Sequence, residues 1–113
     1  MSIVAITIEY LKEALGTDEV YSEVPENPAE EFFVVDKTGG GETNLIKSAM
    51  LAIQSYAGSK ARAEELNEEL KDAMRLFPSR EEIGGCHLNS DYDFTNVAKK
   101  QYRYQAVYDI THY

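Results

Sequence analysis

One continuous stretch, Glu31–Phe77, constrains the fold more than any other part of the chain. It begins with a run rich in β-branched and aromatic residues, Glu31–Thr38, which is typical of a strand. Three glycines follow at Gly39–Gly41, then an imperfectly alternating run, Leu45–Ala57, and then a long amphipathic segment, Ser59–Phe77. We interpret this order as a β-hairpin that leads directly into a helix.

The glycines Gly39–Gly41 are expected to form the flexible loop of the hairpin, because glycine tolerates positive φ. A phosphate-binding loop would need a Lys-Ser or Lys-Thr pair and a following helix, and Glu42 would repel phosphate. A helix is also possible over Leu45–Ala57. We favour a strand there because glycines bracket the run and the preceding strand needs a partner. That preceding strand carries four consecutive apolar residues, Phe32–Val35, so both its faces are expected to be covered.

The helix predicted over Ser59–Phe77 has the clearest pattern in the chain. Ser59 is a typical N-cap residue, and Pro78 ends the segment. An apolar stripe recurs at steps of three and four, at Ala63, Leu66, Leu70, Ala73, Met74 and Phe77. The opposite face carries acids, at Glu64, Glu65, Glu68, Glu69 and Asp72. Acids four apart, such as Glu64 and Glu68, resemble a metal-binding pair, but a solvated face explains them better.

The N-terminal segment Ser2–Leu15 has apolar residues at helical spacing and is followed by Gly16, a natural C-terminal cap. We expect a helix, although its β-branched residues also permit a strand. A short strand is predicted within Thr17–Val24, ended by the prolines of Pro25–Pro28.

The C-terminal part of the chain predicts two more strands. Ile83–Phe94 is expected to be an irregular strand with a bulge at Gly84-Gly85, and Thr95–Lys100 a turn. Gln101–Tyr113 then alternates cleanly, with Tyr102, Tyr104 and Tyr108 on one side. These tyrosines are expected at a core edge or a subunit contact, because Tyr combines an apolar body with a polar tip.

Together these elements predict an α+β fold in the order α-β-β-β-α-β-β. We expect a mostly antiparallel sheet of about five strands packed against two helices. The length of 113 residues fits one domain, residues 1–113. A single cysteine, Cys86, rules out an internal disulfide and fits a reducing compartment. We see no secretory signal and expect no contact with a membrane, because no apolar run reaches the length of a membrane helix.

The formal net charge of −9 argues against specific nucleic-acid binding through phosphate neutralisation. An acidic surface can repel DNA that passes close by, can imitate DNA, or can simply keep the protein soluble.

Few residues offer chemistry. Cys86, His87 and His112 are the only thiol and imidazole groups, but neighbours in a strand point to opposite faces, so His87 is badly placed to act on Cys86. His112 could approach if the last two strands pair. Asn89 and the acids of Asp91–Asp93 lack the pattern of a calcium loop. We therefore expect no catalytic residues, no metal and no cofactor.

The hairpin-and-helix unit resembles a known family of small tail-completion proteins, found in long-tailed phages and in prophages of Gram-positive bacteria. The resemblance is carried by "VVDKTGG", by "AIQSYA" and by the helix that starts at Ser59, within residues 32–77. "VYSEVPENP" and the final alternating strand also fit the family's plan, so the resemblance covers most of the chain. The family comprises tail terminators and head–tail joining proteins of minor capsid type.

The resemblance implies a structural virion protein without catalysis, assembled in the bacterial host cytoplasm. Family members form rings, often hexamers, that cap the tail tube and join the tail to the head connector. The central channel lets DNA pass, and an acidic wall would suit that task. The expected contacts with other copies, with the tail-tube protein or with the head connector are Thr38, Gly39, Gly40, Gly41 and Glu42, with Tyr102, Tyr104 and Tyr108. The alternative is an acidic DNA mimic that inhibits a host DNA-binding protein.

Overall fold

The chain folds into two helices and a five-stranded sheet, in the predicted order α-β-β-β-α-β-β. The computed structural model describes all residues, 1–113. The elements are α1 Ile3–Leu15, β1 Val20–Tyr21, β2 Phe32–Thr43, β3 Ile46–Ala57, α2 Lys60–Arg75, β4 Ile83–Asp93 and β5 Tyr102–His112. A single 3-10 turn at Phe77–Ser79 follows α2. The predicted α+β class is therefore confirmed.

The strands lie in the order β1-β2-β3-β5-β4. Three of the four strand pairs are antiparallel, and the short β1 runs parallel to β2. The predicted first strand reached Val24, but β1 ends at Tyr21. It covers β2 only at Phe33 and Val34, so the outer edge of β2 is open beyond these residues.

Both helices begin at their predicted caps and α1 ends as predicted, but α2 ends at Arg75, two residues before the predicted Phe77. Ser2 Oγ accepts a hydrogen bond from the Ala5 amide at 3.1 Å, and Gly16 closes α1 in the left-handed conformation. Ser59 Oγ accepts from the Arg62 amide at 3.2 Å at the start of α2. The Arg62 guanidinium also holds Glu31 through Nε at 2.8 Å, which ties α2 to the segment before β2.

The helices cover one face of the sheet, which we call the helix face. The core lies there, and its fully buried side chains include Leu51 and Ile53 of β3, Leu70 and Met74 of α2, and Leu11 of α1. The opposite face, which we call the open face, carries only a small apolar cluster of Phe32, Val34 and Tyr56. All four residues of Phe32–Val35 are buried, as expected from their unbroken apolar run.

The prediction of a loop at Gly39–Gly41 is wrong. All three glycines lie within β2 and pair with Met50, Ala49 and Ser48 of β3. The reversal comes later, at Asn44-Leu45. Close approach requires glycine at position 40, where a Cβ would lie 2.9 Å from the Ser48 carbonyl oxygen.

The C-terminal predictions are confirmed in outline. The register of β4 shifts between Ile83 and Gly85, which is the expected bulge at the paired glycines, and it shifts again between Leu88 and Ser90. β5 is a long strand that pairs with β3 on one side and β4 on the other. Between β4 and β5 the chain reverses direction, and an isolated antiparallel bridge joins Asn96 to Gln101.

Candidate interaction surface

The β2–β3 hairpin leaves the body of the protein as an arm, which we define as residues 36–48. Every residue of the arm is exposed, whereas Phe32–Val35 just before it are all buried. The molecule is correspondingly elongated, at 44 × 25 × 25 Å. An ordered hairpin with both faces exposed gains little from burial within its own chain, so this arm is the part of the surface best suited to contact another molecule.

The tip of the arm is a two-residue turn between the paired residues Thr43 and Ile46. Both turn residues have positive φ, 52° at Asn44 and 68° at Leu45, which is the signature of a type I′ turn. Glycine is the usual residue at the second position. Leucine in the left-handed region costs about 1–2 kcal/mol, and the Leu45 side chain is 84% exposed. The tip therefore displays a large apolar residue at an energetic cost.

The residues predicted for contact in this region lie along the arm. Thr38 sits where the register shifts between Lys37 and Gly39, and its hydroxyl donates to the Met50 carbonyl at 3.3 Å. Gly39 and Gly41 project no side chain, and Glu42 pairs across the hairpin with Lys47. The structure brings the five predicted residues Thr38–Glu42 together as one exposed strand segment.

A shallow groove of about 530 Å³ lies at the base of the arm. Its walls include Thr38, Gly39, Gly40, Met50, Asp109 and Ile110. The Asp109 carboxylate accepts a hydrogen bond from Asn89 Nδ2 at 3.1 Å but forms no salt bridge. Met50 is 39% exposed there. The groove thus combines apolar wall with one carboxylate that no cation neutralises.

The open face carries a second feature, a hydrogen-bonded cluster of aromatic and amide side chains. Phe32 and Tyr56 stack at 4.4 Å between ring centroids, and the Tyr56 hydroxyl donates to Gln54 at 2.7 Å. Arg103 donates to the Tyr56 hydroxyl at 3.0 Å and lies 4.5 Å from the Phe94 ring centroid. These bonds hold the side chains of three strands in fixed positions.

Sequence reasoning missed this cluster. The signal in the sequence was the second set of alternating residues in the last strand, Arg103, Gln105 and Val107, which lie between the tyrosines. The tyrosines of β5 are larger, but they face the helices. The residues that alternate with them lie on the open face.

The tyrosines of β5 point to the helix face. Tyr108 is only 4% exposed and belongs to the core, so its side chain is not available for the predicted subunit contact. Tyr102 and Tyr104 are half-buried against the same core, and the Tyr104 hydroxyl donates to Glu64 of α2 at 3.3 Å. Tyr108 therefore lies in the core, and a subunit contact through Tyr102 and Tyr104 stays a prediction.

Cys86 is a poor candidate nucleophile. Burial raises the pKa of its thiol to about 11, so little thiolate forms at neutral pH. His87 lies on the other parity of β4 and contributes to the groove, as the alternation of the strand predicts. β4 and β5 do pair, and they place His112 opposite Ile83. Burial lowers the pKa of His112.

The acidic face of α2 is partly neutralised within the chain. Arg62 contacts Glu65 and Glu69, both at 3.4 Å. Farther along the helix, Lys71 contacts Glu68 and Arg75 contacts Asp72, each at 2.8 Å. Four of the five acids on this face therefore have a basic partner, which weakens the resemblance to a row of free phosphates.

The two lysines of the arm are different from those of α2. Neither Lys37 nor Lys47 forms a salt bridge, although the chain contains 20 acidic residues. With Asp36 and Glu42 the arm has no net charge, whereas the whole chain carries −9. The arm is thus a neutral element on a strongly acidic molecule, and Lys47 lies directly across the hairpin from Glu42.

No three His, Cys, Asp or Glu side chains converge in a way that could hold a metal ion. Neither helix is long and apolar enough to span a bilayer.

Comparison with known proteins finds no family model that matches the chain and no curated protein that matches it in sequence. The resemblance to phage tail-completion proteins therefore depends on the residues quoted for it.

Proposed function

We propose that this chain is a structural subunit of a phage virion that assembles into a ring, with six copies as the expected number. The ring caps the tail tube, joins the tail to the head connector, or does both, and its channel lets DNA pass. The observation that carries the proposal is the arm, an exposed hairpin that has no function in the packing of its own chain. The sequence resemblance supports the same role.

The free edges of the sheet support a head-to-tail arrangement. The outer edge of β2 is unpaired from Val35 to Thr43, and the outer edge of β4 is unpaired along its length. Long free edges favour pairing with another strand. β2 and β4 run in opposite directions, because each step from β2 through β3 and β5 to β4 is antiparallel.

A ring keeps the directions of β2 and β4 opposite where two copies meet. Rotation about an axis parallel to the strands leaves their directions unchanged. The β2 edge of one copy would then meet the β4 edge of the next as an antiparallel pair. Heterologous contacts of this kind form a closed ring when the rotation between neighbouring copies is a full turn divided by a whole number.

The net charge of −9 suits a channel wall that DNA must pass without binding. It also permits the rival role of a DNA mimic. The ion pairs along α2 disfavour that rival, because a mimic needs unpaired acids at the spacing of phosphates.

Light scattering and electron microscopy of the purified chain test the proposal, alone and with the tail-tube protein encoded in the same genome. We expect ring-shaped particles under at least one of these conditions. A chain that remains monomeric in both would contradict the proposal. Salt-sensitive capture of a host DNA-binding protein by the monomer would instead favour the mimic.

A further inference from the structure

We infer that the β2 edge of one copy and the β4 edge of the next pair in a single register, in which Val35–Thr43 lies antiparallel to Gly85–Asp93. The inference rests on the proposed ring and deepens it, because it names the residues that meet. The two free edges have the same length. β1 covers β2 up to Val34, and the first bulge of β4 ends at Gly85, so residues 35–43 and 85–93 are nine each.

Each of these edges contains one bulge, and the two bulges coincide in this register. The extra residue is Thr38 in β2 and Asn89 in β4. A bulge exchanges the residues that face the two sides of a sheet. Thr38 lies opposite Ser90, next to Asn89, so both strands make this exchange at the same point. Side chains that meet across the contact therefore lie on the same face on either side of the bulges.

Other registers break this match. A shift by one residue places the side chains of the two strands on opposite faces. A shift by two residues in one direction separates the two bulges. A shift by two in the other direction places Asp93 beside Phe33, whose outer edge β1 already occupies.

The backbone groups of β2 suit the same register. The Phe33 amide donates outward, to the Glu19 carbonyl beside β1, at 2.9 Å. Backbone groups alternate in direction along an antiparallel strand, so those of Val35 and Lys37 also point outward.

The backbone groups of β4 match those of β2. The Phe94 amide donates inward, to the Arg103 carbonyl, at 2.9 Å, so the groups of Asp91 and Asp93 point outward by the same alternation. The inferred register places these outward groups opposite those of β2, as the pairs Lys37–Asp91 and Val35–Asp93.

Charge permits this contact although each chain carries −9. Lys37, which forms no salt bridge in its own chain, lies opposite Asp91. Both acids of this part of β4 are already bound by lysines of α2, Asp91 by Lys71 at 3.3 Å and Asp93 by Lys60 at 2.8 Å. No two like charges lie opposite each other, so the edges avoid most of the repulsion between copies.

The open-face cluster adds a hydrogen-bond donor at the contact. Arg103 can only donate, so the Tyr56 hydroxyl accepts from it and donates to Gln54. Gln54 Nε2 donates to Gln105 at 2.9 Å, and Gln105 Nε2 donates to the Tyr92 hydroxyl. The Tyr92 hydroxyl thus accepts within its own chain, and its proton is free for an acceptor outside.

In the inferred register that acceptor is the carboxylate of Asp36 in the neighbouring copy. Both residues face the open face, Tyr92 is 42% exposed, and Asp36 is exposed without a salt bridge. They form the pair between the two hydrogen-bonded ones, where side chains lie closest.

A pair of cysteines tests the register. In a Cys86→Ser background, Asp36→Cys with Tyr92→Cys should give a ladder of disulfide-linked oligomers in oxidised glutathione, because about 4.5 Å between Cα atoms fits a disulfide. The link must join two chains, since three strand spacings, about 14 Å in total, separate β2 from β4 within one chain. Non-reducing electrophoresis measures the ladder, and thermal unfolding of the reduced variant checks its fold.

Asp36→Cys with Ser90→Cys is the matched control. Ser90 lies on the same face but two residues along β4, at about 7–8 Å, so this pair should link at least about tenfold more slowly. A ladder from the control pair and none from the first pair would place the contact in another register. A disulfide dimer of Asp36→Cys alone would show that two β2 edges pair with each other. Either result overturns the inference.

Hydrogen exchange tests the register in the wild type, without any substitution. The amides of Lys37 and Asp91 should exchange freely in the monomer and at least about tenfold more slowly in assembled particles. The amides of Asp36 and Tyr92 point inward and should be protected in both states.

The two proposals can fail separately. Rings in which Lys37 and Asp91 stay unprotected and the first cysteine pair does not link would overturn the inferred register and leave the proposed function standing. A chain that remains monomeric, alone and with the tail-tube protein, would overturn both.

Discussion

At the scale of single residues, neighbouring glycines in β2 differ in how strictly their positions require glycine. A Cβ on Gly40 would lie 2.9 Å from the Ser48 carbonyl oxygen, which is closer than real contacts allow. A Cβ on Gly39 would meet nothing within 4 Å. Neither residue has positive φ, so backbone conformation does not separate them. The requirement for glycine at position 40 comes from the approach of β3.

Gly40→Ala should therefore lower the free energy of unfolding by about 1–3 kcal/mol, the usual cost of overpacking. Gly39→Ala is the matched control and should be neutral or stabilising by about 0.4–1 kcal/mol, because it reduces the entropy of the unfolded chain. Urea denaturation of both variants measures the difference. Equal effects at the two positions would mean that the hairpin strands can separate at no cost.

His112 should make stability depend on pH. Burial lowers the pKa of this side chain below its usual 6.5, and the lysines at 37 and 47 lower it further, while a hydrogen bond to the Tyr113 backbone raises it. The unfolded chain therefore takes up a proton at a higher pH than the folded chain does. By linkage, stability is greatest above about pH 6.5 and is lost as the pH falls below that value.

Denaturation of the wild type between about pH 7.5 and 5.5 should show this loss. His112→Gln should flatten the dependence, because glutamine is polar but does not titrate in this range. An unchanged slope in the variant would assign the dependence to other groups.

At the scale of elements, α2 is held to the sheet by one apolar stripe. Ala63, Leu70 and Met74 are each at most 1% exposed and pack on the helix face. The acids on the opposite side of the helix remain in solvent, where their ion pairs contribute little to stability. Burial of the stripe is thus what fixes α2 in place.

Leu70→Ala should cost about 2–5 kcal/mol of unfolding free energy, because it leaves a cavity in the core. Leu76→Ala at the end of the helix is the control. Leu76 is 68% exposed, so its truncation should change stability by less than about 0.5 kcal/mol. Thermal or denaturant unfolding compares the two. Similar losses of stability in both variants would mean that Leu70 does not lie in the core.

At the scale of the whole molecule, net charge would set how salt affects the proposed self-association. Copies that each carry −9 repel one another, and salt screens this repulsion. The acidic surface therefore works against assembly at low ionic strength.

Raising the salt concentration should strengthen self-association of the chain, as measured by sedimentation at matched protein concentrations. The mimic hypothesis makes the opposite prediction for its own partner, because binding to a cationic surface weakens with salt. The sign of the salt dependence thus separates the two functions. Assembly that weakens steadily with salt would show that ion pairs dominate the interface.

The sequence by itself determined the elements whose cause is local. The cap at Ser59, the stripe of α2 and the alternation of β5 depend on neighbours within one element, so the pattern predicts them correctly. The bulge at Gly84-Gly85 was also predictable, since paired glycines in a strand have few other uses.

Only the tertiary structure decided what depends on a distant partner. Gly39–Gly41 predict a loop when their own preferences are considered alone, but β3 lies beside them and extends the hairpin to Asn44-Leu45. The tyrosines of β5 could face either way until the helices covered one side of the sheet. The arm and the groove are defined by which residues the rest of the chain leaves uncovered. That property arises from packing, and no local pattern encodes it.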